Sequence, residues 1–336
     1  MTPRQFPSIT TSPLAWLLAG DPAIRYQARR DLLDVAEDEL AGERATMLAD
    51  GWVARLLACQ DPDGRWGGGL YGPKWISTTY TLLLLRDCGA PEGHPGITRG
   101  CRLLLDRGRY RDGGINFFPS MAQSEACVTG MVLSILIHFG VDAGEIAPLA
   151  EHLLGRQMVD GGWNCEDYRG ATHGSFHTTV SVLESLVRFE QRFPTHALTP
   201  RCAAARAAGN EFLLVHRLFR SHRTGDVVDP RMTRLSFPPR WRYDILRALD
   251  CFRSDALPID KRMSEALALL VRKRRPDGTW PLQQHHPGRE FFRMEAVGGP
   301  SRWNTLRALR VGRHFGMAWA GDGVIRRGDA RAHPDH

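Results

Sequence analysis

"QMVDGGW", residues 157–163, is one copy of a short pattern that recurs along this chain. Residues 60–66 read QDPDGRW, and residues 273–280 read KRRPDGTW, in which the glutamine is lost. A degenerate copy lies within residues 103–118, LLLDRGRYRDGGINFF. Trp66, Ile115 and Trp163 are 49 and 48 residues apart, and Trp280 follows after 117 more, about two periods. A fixed period of this size indicates a repeat architecture, and we place a further, weakened copy at 212–229.

A second apolar run follows each of these loops. The first three runs are too uniformly apolar for surface helices, so we expect them to be buried, whereas the helices that precede the loops are more amphipathic. The runs are 77–87, 124–139, 175–189, 240–252 and 301–315, and a sixth is expected at 21–33, where Asp21 and Pro22 form a helix start. The pattern predicts an all-α protein, an α/α toroid of six helical hairpins. We expect one domain, 1–320, with the repeats clearest over 50–315 and a disordered tail at 321–336.

Composition excludes several classes of protein. The formal net charge of +7 is carried by dispersed arginines rather than a basic stripe, which argues against nucleic-acid binding. No apolar run is long enough for a transmembrane segment, and the N-terminus does not resemble a secretory signal, so we expect a soluble, cytoplasmic protein. The seven cysteines show no paired spacing and no CxxC, which predicts no disulfide framework.

Two polar residues stand at the same level of consecutive inner helices. Cys127 and His177 lie 50 residues apart, each near a helix N-terminus, where the backbone dipole favours a thiolate. Catalytic zinc takes three protein ligands and keeps one position open. The third ligand would be Glu125 or Cys165, and the sequence leaves both open. The alternative is that Cys127 and His177 are ordinary core residues.

The QxxDGxW-type repeats resemble those shared by squalene and oxidosqualene cyclases and by the β subunits of protein prenyltransferases. The resemblance covers roughly residues 50–315 and implies the α/α toroid. The prenyltransferase β subunits hold zinc through an Asp-x-Cys pair and a later histidine. Glu125-Ala126-Cys127 and Phe176-His177-Thr178 match these positions, with glutamate in place of aspartate. The resemblance therefore implies zinc as cofactor, held by Cys127 and His177 with Glu125 or Cys165 completing the set. With Cys165 from the adjacent loop, Cys127 and His177 would form the catalytic group.

The resemblance is incomplete at the substrate end. Residues 117–127 carry no cation where the transferases bind diphosphate. Arg240, Arg242 and Arg302 open later inner helices and would instead hold an anionic group, unless they pair with acids such as Asp244. Trp241 and Phe176 would contact the apolar part of the substrate. We expect His285 and His286 to be solvated.

These features favour a zinc-dependent enzyme that transfers a metal-activated nucleophile to an amphipathic, isoprenoid substrate. A non-catalytic toroid that binds a lipid or peptide is one alternative. Another is a terpene cyclase with an atypical acid such as Asp160 or Asp244, because neither a DxDD-type nor an Asp-Cys-Thr motif occurs. Lanthionine synthetases share a Cys, Cys, His zinc set on this fold, but their adjacent Cys-His pair is missing here. One chain does not reveal a partner subunit.

Overall fold

A computed structural model describes residues 9–317 of the chain, and the tail expected at 321–336 lies outside them. Helices dominate the described part, and none of them combines the length and apolar composition needed to cross a lipid bilayer. The α-helices are α1 (Pro13–Leu18), α2 (Pro22–Leu33), α3 (Ala41–Ala49), α4 (Gly51–Leu57), α5 (Thr78–Cys88), α6 (Pro95–Gly108), α7 (Ala126–His138), α8 (Ala143–Gly155), α9 (Phe176–Arg192), α10 (Thr199–Val215), α11 (Ile245–Ser254), α12 (Ser264–Arg272) and α13 (Arg302–His314). Two short strands, β1 (Trp280–Pro281) and β2 (Pro300–Ser301), pair antiparallel.

Six of these helices form a closed inner ring. Helices α5, α7, α9, α11 and α13 pack in chain order, and α13 packs against α2. The Gln27 side-chain amide donates to the Asp87 carbonyl oxygen at 2.8 Å and joins α2 to α5. Arg310 of α13 donates to the Gln27 side chain at 3.1 Å, which closes the ring. Outer helices separate the inner ones along the chain, with two of them, α3 and α4, between α2 and α5, so the all-α, six-hairpin toroid is confirmed.

One inner helix begins later than the sequence predicted. The apolar run 240–252 was expected to be helical throughout, but α11 starts at Ile245. Asp244 caps it by accepting the Arg247 backbone N–H at 2.8 Å, and its other oxygen accepts the Ser236 N–H at 3.0 Å. An aspartate held in this way ends the preceding loop and starts the helix. Residues 236–244 are therefore a non-helical segment that enters the ring.

The repeat loops connect outer helices to inner helices through the same hydrogen bonds. Each repeat tryptophan donates its indole N–H to a carbonyl ten residues earlier, near the end of the preceding outer helix: Trp66 to Leu56 at 2.8 Å, Trp163 to Leu153 at 2.7 Å and Trp280 to Leu270 at 2.8 Å. The backbone N–H of the same position donates to a threonine hydroxyl on the next inner helix: Trp66 to Thr78, Ile115 to Thr129, Trp163 to Thr179 and Trp280 to Thr305, at 2.9–3.1 Å. Each loop thus joins the end of one helix to the start of another.

The weakened copy at 212–229 shares this loop geometry. In the first copy, the Gln60 amide donates to the Gly64 carbonyl at 2.8 Å, and Gln60 pairs with Trp66 across the turn. In the weakened copy, Arg220 donates to the Gly225 carbonyl at 2.6 Å and pairs with Val227. The predicted repeat at 212–229 is therefore confirmed, although it has lost both the glutamine and the tryptophan.

The buried threonines provide a test of these loops. Thr179→Val keeps the shape of the side chain but leaves the buried Trp163 N–H without an acceptor, so we expect a loss of about 1–3 kcal/mol in the free energy of unfolding. Urea denaturation measures this change. The control is Thr46→Val, on the exposed face of α3, which should change stability by less than about 0.5 kcal/mol. Equal effects of the two substitutions would contradict the role assigned to the loop.

A buried ion cluster connects the inner helices farther along the ring. Glu184 of α9 accepts from Arg247 at 2.7 Å and lies 3.4 Å from Arg86. Burial alone raises the pKa of Glu184, but Arg247 and Arg86 outweigh it and lower the pKa to about 2. Since this pKa is depressed in the folded state, the carboxylate stabilises the fold above pH 4.5, and this contribution is lost as the pH falls towards 2.

We expect Glu184→Gln to lower the free energy of unfolding at pH 7 by about 3–5 kcal/mol, because it leaves buried Arg247 without its counterion and Arg86 with Asp87 alone. The difference between wild type and variant should shrink between pH 5 and pH 2, since the wild-type carboxylate becomes protonated there. Denaturant titrations at several pH values measure both effects. A difference that is independent of pH would argue against an ionised Glu184.

Candidate metal centre

Three potential metal ligands meet where two inner helices begin. Glu125 is the N-cap residue of α7, Cys127 lies in its first turn, and Cys165 lies in the loop between Trp163 and α9. A carboxylate oxygen of Glu125 and the two Sγ atoms all lie within 4.8 Å of one another. We call these three residues the Cys127–Cys165 centre. The structure therefore brings together both of the candidates that the sequence left open for the third ligand.

The two cysteines are joined as a disulfide, with their Cα atoms 6.2 Å apart. The other five cysteines are free. A framework of several disulfides is thus absent among the described residues, as expected, but this one pair was not foreseen. The scattered spacing in sequence concealed it, because the pair joins an inner helix to a loop of the next repeat.

Two donors point at the sulfur of Cys165. The Cys127 backbone N–H and the Thr178 hydroxyl each donate to Sγ at 3.3 Å. They lie in the first turns of α7 and α9, where the partial positive charge of a helix N-terminus favours a negative charge nearby. The surroundings of Cys165 are therefore suited to a thiolate once the pair is reduced.

His177 is the one proposed ligand that the structure leaves apart from the others. Its Nδ1 accepts the Tyr243 backbone N–H at 2.8 Å, and its ring meets the Trp241 ring edge-on at 5.2 Å. Because Nδ1 is an acceptor, the neutral ring carries its proton on Nε2. Burial, with Arg242 and Arg247 nearby, lowers the pKa of His177 to about 4. The imidazole therefore stays neutral at pH 7.

Lys74, which the sequence analysis did not identify, lies beside the Cys127–Cys165 centre. The Lys74 ammonium lies 5.5–5.7 Å from the ring centroids of Tyr71, Trp75 and Trp241, a distance typical of cation–π contact. Burial, with the charge of Glu166, raises the pKa of Glu125, and Lys74 opposes this shift. The sequence does contain a sign of this lysine, in the stretch GPKWIS at 72–77. This stretch of the first repeat corresponds to 117–127 of the second repeat, which has no cation.

Several buried polar atoms in this region have no hydrogen-bond partner among the described residues. They are Tyr80 Oη, Trp241 Nε1, Arg242 Nε and His286 Nε2. Buried polar groups without partners are rare in folded proteins, and a group of them marks a place where water or a ligand binds. His286 is buried rather than solvated as predicted, while its neighbour His285 pairs with Glu290 at 2.7 Å.

The residues proposed for substrate binding separate into two groups. Trp241 and Arg242 lie together near His177, with the Arg242 guanidinium 4.6 Å from the Trp241 ring. The other three are used by the fold. Arg240 is buried and pairs with Glu290 at 3.4 Å, Arg302 stacks on Trp16 at 4.3 Å, and Phe176 packs against Phe212 and Tyr243. These contacts engage the three side chains within the fold, because position along a helix does not determine which way a side chain points.

The two carboxylates considered as atypical acids are also structural. Asp160 accepts the Gly162 N–H at 3.0 Å and the Gly174 N–H at 2.7 Å, and so shapes the repeat turn. Asp244 caps α11, as described above.

Comparisons with known proteins give the following result. No protein-family model matches this sequence, and no curated protein matches it either. Among solved structures, the ligand-free type II terpene cyclase MstE from Scytonema is 15% identical, with 80% of this chain and 96% of that chain covered and a TM-score of 0.35. A variant of MstE in complex with its substrate, geranylgeranyl dihydroxybenzoate, is 16% identical over 82% and 97% of the two chains, with a TM-score of 0.34. A protein from Actinoplanes is 17% identical over 82% and 100%, with a TM-score of 0.32. Sequence identities and TM-scores this low support no inference about activity.

The disulfide leads to a simple prediction. Protein purified in air and unfolded without reductant should titrate with five free thiols, and reduction should raise the count to the seven cysteines of the sequence. Peptide mapping under non-reducing conditions should find Cys127 linked to Cys165. Seven free thiols before reduction would show that the two sulfurs are not bonded in solution.

Proposed function

We propose that this chain is a zinc-dependent enzyme that activates a nucleophile for transfer to an amphipathic, isoprenoid substrate. The observation that carries the proposal is the convergence of Glu125, Cys127 and Cys165 at the N-termini of two neighbouring inner helices. Two thiolates and one carboxylate suit zinc, and three protein ligands leave the fourth position open, as in catalytic rather than structural sites.

The donor set passes a simple test of fit. Zn–S distances near 2.3 Å and Zn–O distances near 2.0–2.2 Å place the donors of a tetrahedral site roughly 3.3–3.8 Å apart. The three donor atoms here already lie within 4.8 Å of one another, so small side-chain rotations suffice once the disulfide is reduced. A reducing compartment such as the cytoplasm keeps the two sulfurs as thiols. We place the protein in that compartment.

Zinc held there would lower the pKa of a bound thiol or water and so supply a nucleophile at neutral pH. The chain's own residues have separate roles. Thr178 and the Cys127 N–H stabilise negative charge on the Cys165 sulfur. Neutral His177 presents an Nε2 proton, which can be donated in a hydrogen bond at this face of the ring. Arg242, whose Nε has no hydrogen-bond partner within residues 9–317, would bind the anionic end of the substrate.

The isoprenoid substrate class rests on two supports. One is the resemblance of Glu125-Ala126-Cys127 and Phe176-His177-Thr178 to the zinc motifs of prenyltransferase β subunits. The other is the aromatic cluster beside the centre, in which the partly exposed Phe118 ring lies 5.2 Å from the buried Tyr71 ring, and Tyr71 lies 5.1 Å from Tyr80. Rings of this kind suit an unsaturated hydrocarbon chain and stabilise developing positive charge.

Metal binding tests the proposal directly. Reduced protein, dialysed against zinc and then against buffer, should retain about one zinc per chain by elemental analysis. Cys127→Ser and Cys165→Ser should each lower the affinity by at least about 100-fold, and Glu125→Gln by about 10–100-fold, because each removes a ligand. Competition with a chromophoric chelator measures the affinity.

Cys59→Ser is the matched control, since Cys59 is a part-buried free thiol outside the centre. Unchanged zinc retention in a double Cys127→Ser, Cys165→Ser variant would refute the site. The zinc-loaded protein is then incubated with prenyl diphosphates of increasing length and a small thiol. Zinc binding without any prenylated product would support the proposed metal centre but contradict the proposed isoprenoid substrate.

A further inference from the structure

A second chemically distinctive region lies inside the ring. A cavity of about 180 Å³ is enclosed by residues of all six inner helices and by the 236–244 segment. Seven of its nineteen lining residues are arginines: Arg30, Arg86, Arg188, Arg247, Arg253, Arg307 and Arg310. Three acidic residues line it as well: Asp87, Glu184 and Asp250. Nothing in the proposed zinc chemistry uses this concentration of guanidinium groups.

The acidic residues around the cavity are shared among several arginines. Asp250 contacts Arg253 at 2.8 Å, Arg307 at 3.5 Å and Arg310 at 2.8 Å. Glu184 serves both Arg247 and Arg86, and Asp87 pairs with Arg86 at 2.6 Å. Asp31, just outside the lining, pairs with Arg30 at 2.7 Å and Arg310 at 3.1 Å. Four carboxylates therefore face seven guanidinium groups, and the cluster keeps an excess of about three positive charges.

Arg188 carries the clearest part of that excess. Among the described residues it forms no hydrogen bond and no ion pair, and its Nε is buried without a partner. Burial, with Arg86 nearby, lowers the pKa of Arg188 to about 10, so the side chain is still a cation at pH 7. Burying an unpaired charge is costly, and proteins rarely retain one without a partner.

Two carboxylates, Glu184 and Asp87, lie near Arg188, and their charge opposes the fall of its pKa. Both are already paired, Glu184 with Arg247 and Asp87 with Arg86, and neither forms an ion pair with Arg188 among the described residues.

The C-terminal ends of the inner helices carry partial negative charge, but Arg188 donates to none of their carbonyl oxygens. His138, at the end of α7, donates through Nε2 to the Ala90 carbonyl at 3.0 Å. Burial, with Arg188 and Arg86, lowers the pKa of His138 to about 3, so it is neutral at pH 7. The cations of the cavity are therefore its arginines.

The cavity is separate from the Cys127–Cys165 centre. Phe237 stacks on Trp303 at 4.4 Å, and together with Pro239 they form one wall. Phe237 also lines a second cavity, together with Pro238 and Arg240 of the same segment and with Trp75. The segment 236–244 thus lies between two cavities. On the opposite side, Gly89, His138 and Ser254 line the cavity where inner helices end.

We propose that this cavity binds a compact, multiply charged phosphate compound, with Arg188 as the cation that completes its recognition. Guanidinium groups present paired N–H donors that match phosphate oxygens, and several of them around one cavity favour a ligand with two or more negative charges. The volume accommodates a group of the size of a diphosphate, since a water molecule takes about 30 Å³ of liquid. With ten charged residues in the lining, little apolar wall is left for a hydrocarbon chain.

Calorimetry and thermal unfolding with inorganic diphosphate test the proposal on the full chain. Diphosphate should bind wild type and raise its unfolding temperature, and Arg188→Met should weaken binding at least about tenfold. Without diphosphate, Arg188→Met should be as stable as wild type or more so, because it removes an unpaired buried charge. A merely structural arginine would give the opposite result, a less stable variant.

Arg201→Met is the matched control, because Arg201 lies on the outer surface of α10, where it pairs with exposed Glu151, and it does not line the cavity. It should leave diphosphate binding unchanged. Arg188→Lys, which keeps the charge but loses the paired donors, should bind with intermediate affinity. Zinc-loaded and zinc-free protein should bind diphosphate equally, so the two proposals can fail independently. Equal binding by wild type and Arg188→Met would overturn the proposal, as would a response to sulfate at matched ionic strength as large as that to diphosphate.

Discussion

The hydrogen bonds of the repeat tryptophans are the constraint on which the rest of the structure depends. Through its indole, each repeat tryptophan holds the end of an outer helix, and through its backbone N–H it holds the start of the next inner helix. Gly209 shows how tightly the ring fits, since a Cβ there would lie 2.7 Å from Trp163. Because every loop is fixed to the same end of an inner helix, all the loops gather on one face.

That gathering brings residues from distant repeats together. Cys165 belongs to a loop and Cys127 to a helix one repeat earlier, yet their sulfurs meet because both repeats deliver chain to the same face. Lys74, from the first repeat, reaches the same place. The segment 236–244 lies between a cavity that Trp75 lines and the cavity lined by arginines. One ring therefore contains two chemically different environments.

The sequence predicted the fold well because the repeat is a local pattern with a fixed period. Glycine after aspartate, an aromatic residue and an apolar run recur in order, and the helices follow from them. The site was harder to predict. Glu125, Cys127 and Cys165 were found because they lie close to helix starts. Arg302 and Phe176 occupy similar positions but turn towards Trp16 and Phe212. Side-chain direction depends on neighbours from other repeats, and Arg188 looks in sequence like an ordinary cation near the C-terminal end of an apolar helix.

The turn in each loop also shows how such a chain can diverge. Gln60 and Gln157 each donate to the carbonyl four residues later, Arg274 reaches the equivalent carbonyl at 3.3 Å, and Arg220 makes the corresponding bond over five residues. Different side chains thus satisfy the same carbonyl, and what the turn requires is an N–H group of sufficient reach. The residue type at this position can therefore change between repeats without loss of the ring. A search for the glutamine alone finds too few repeats. The turn geometry therefore identifies a repeat even where its residue types have changed.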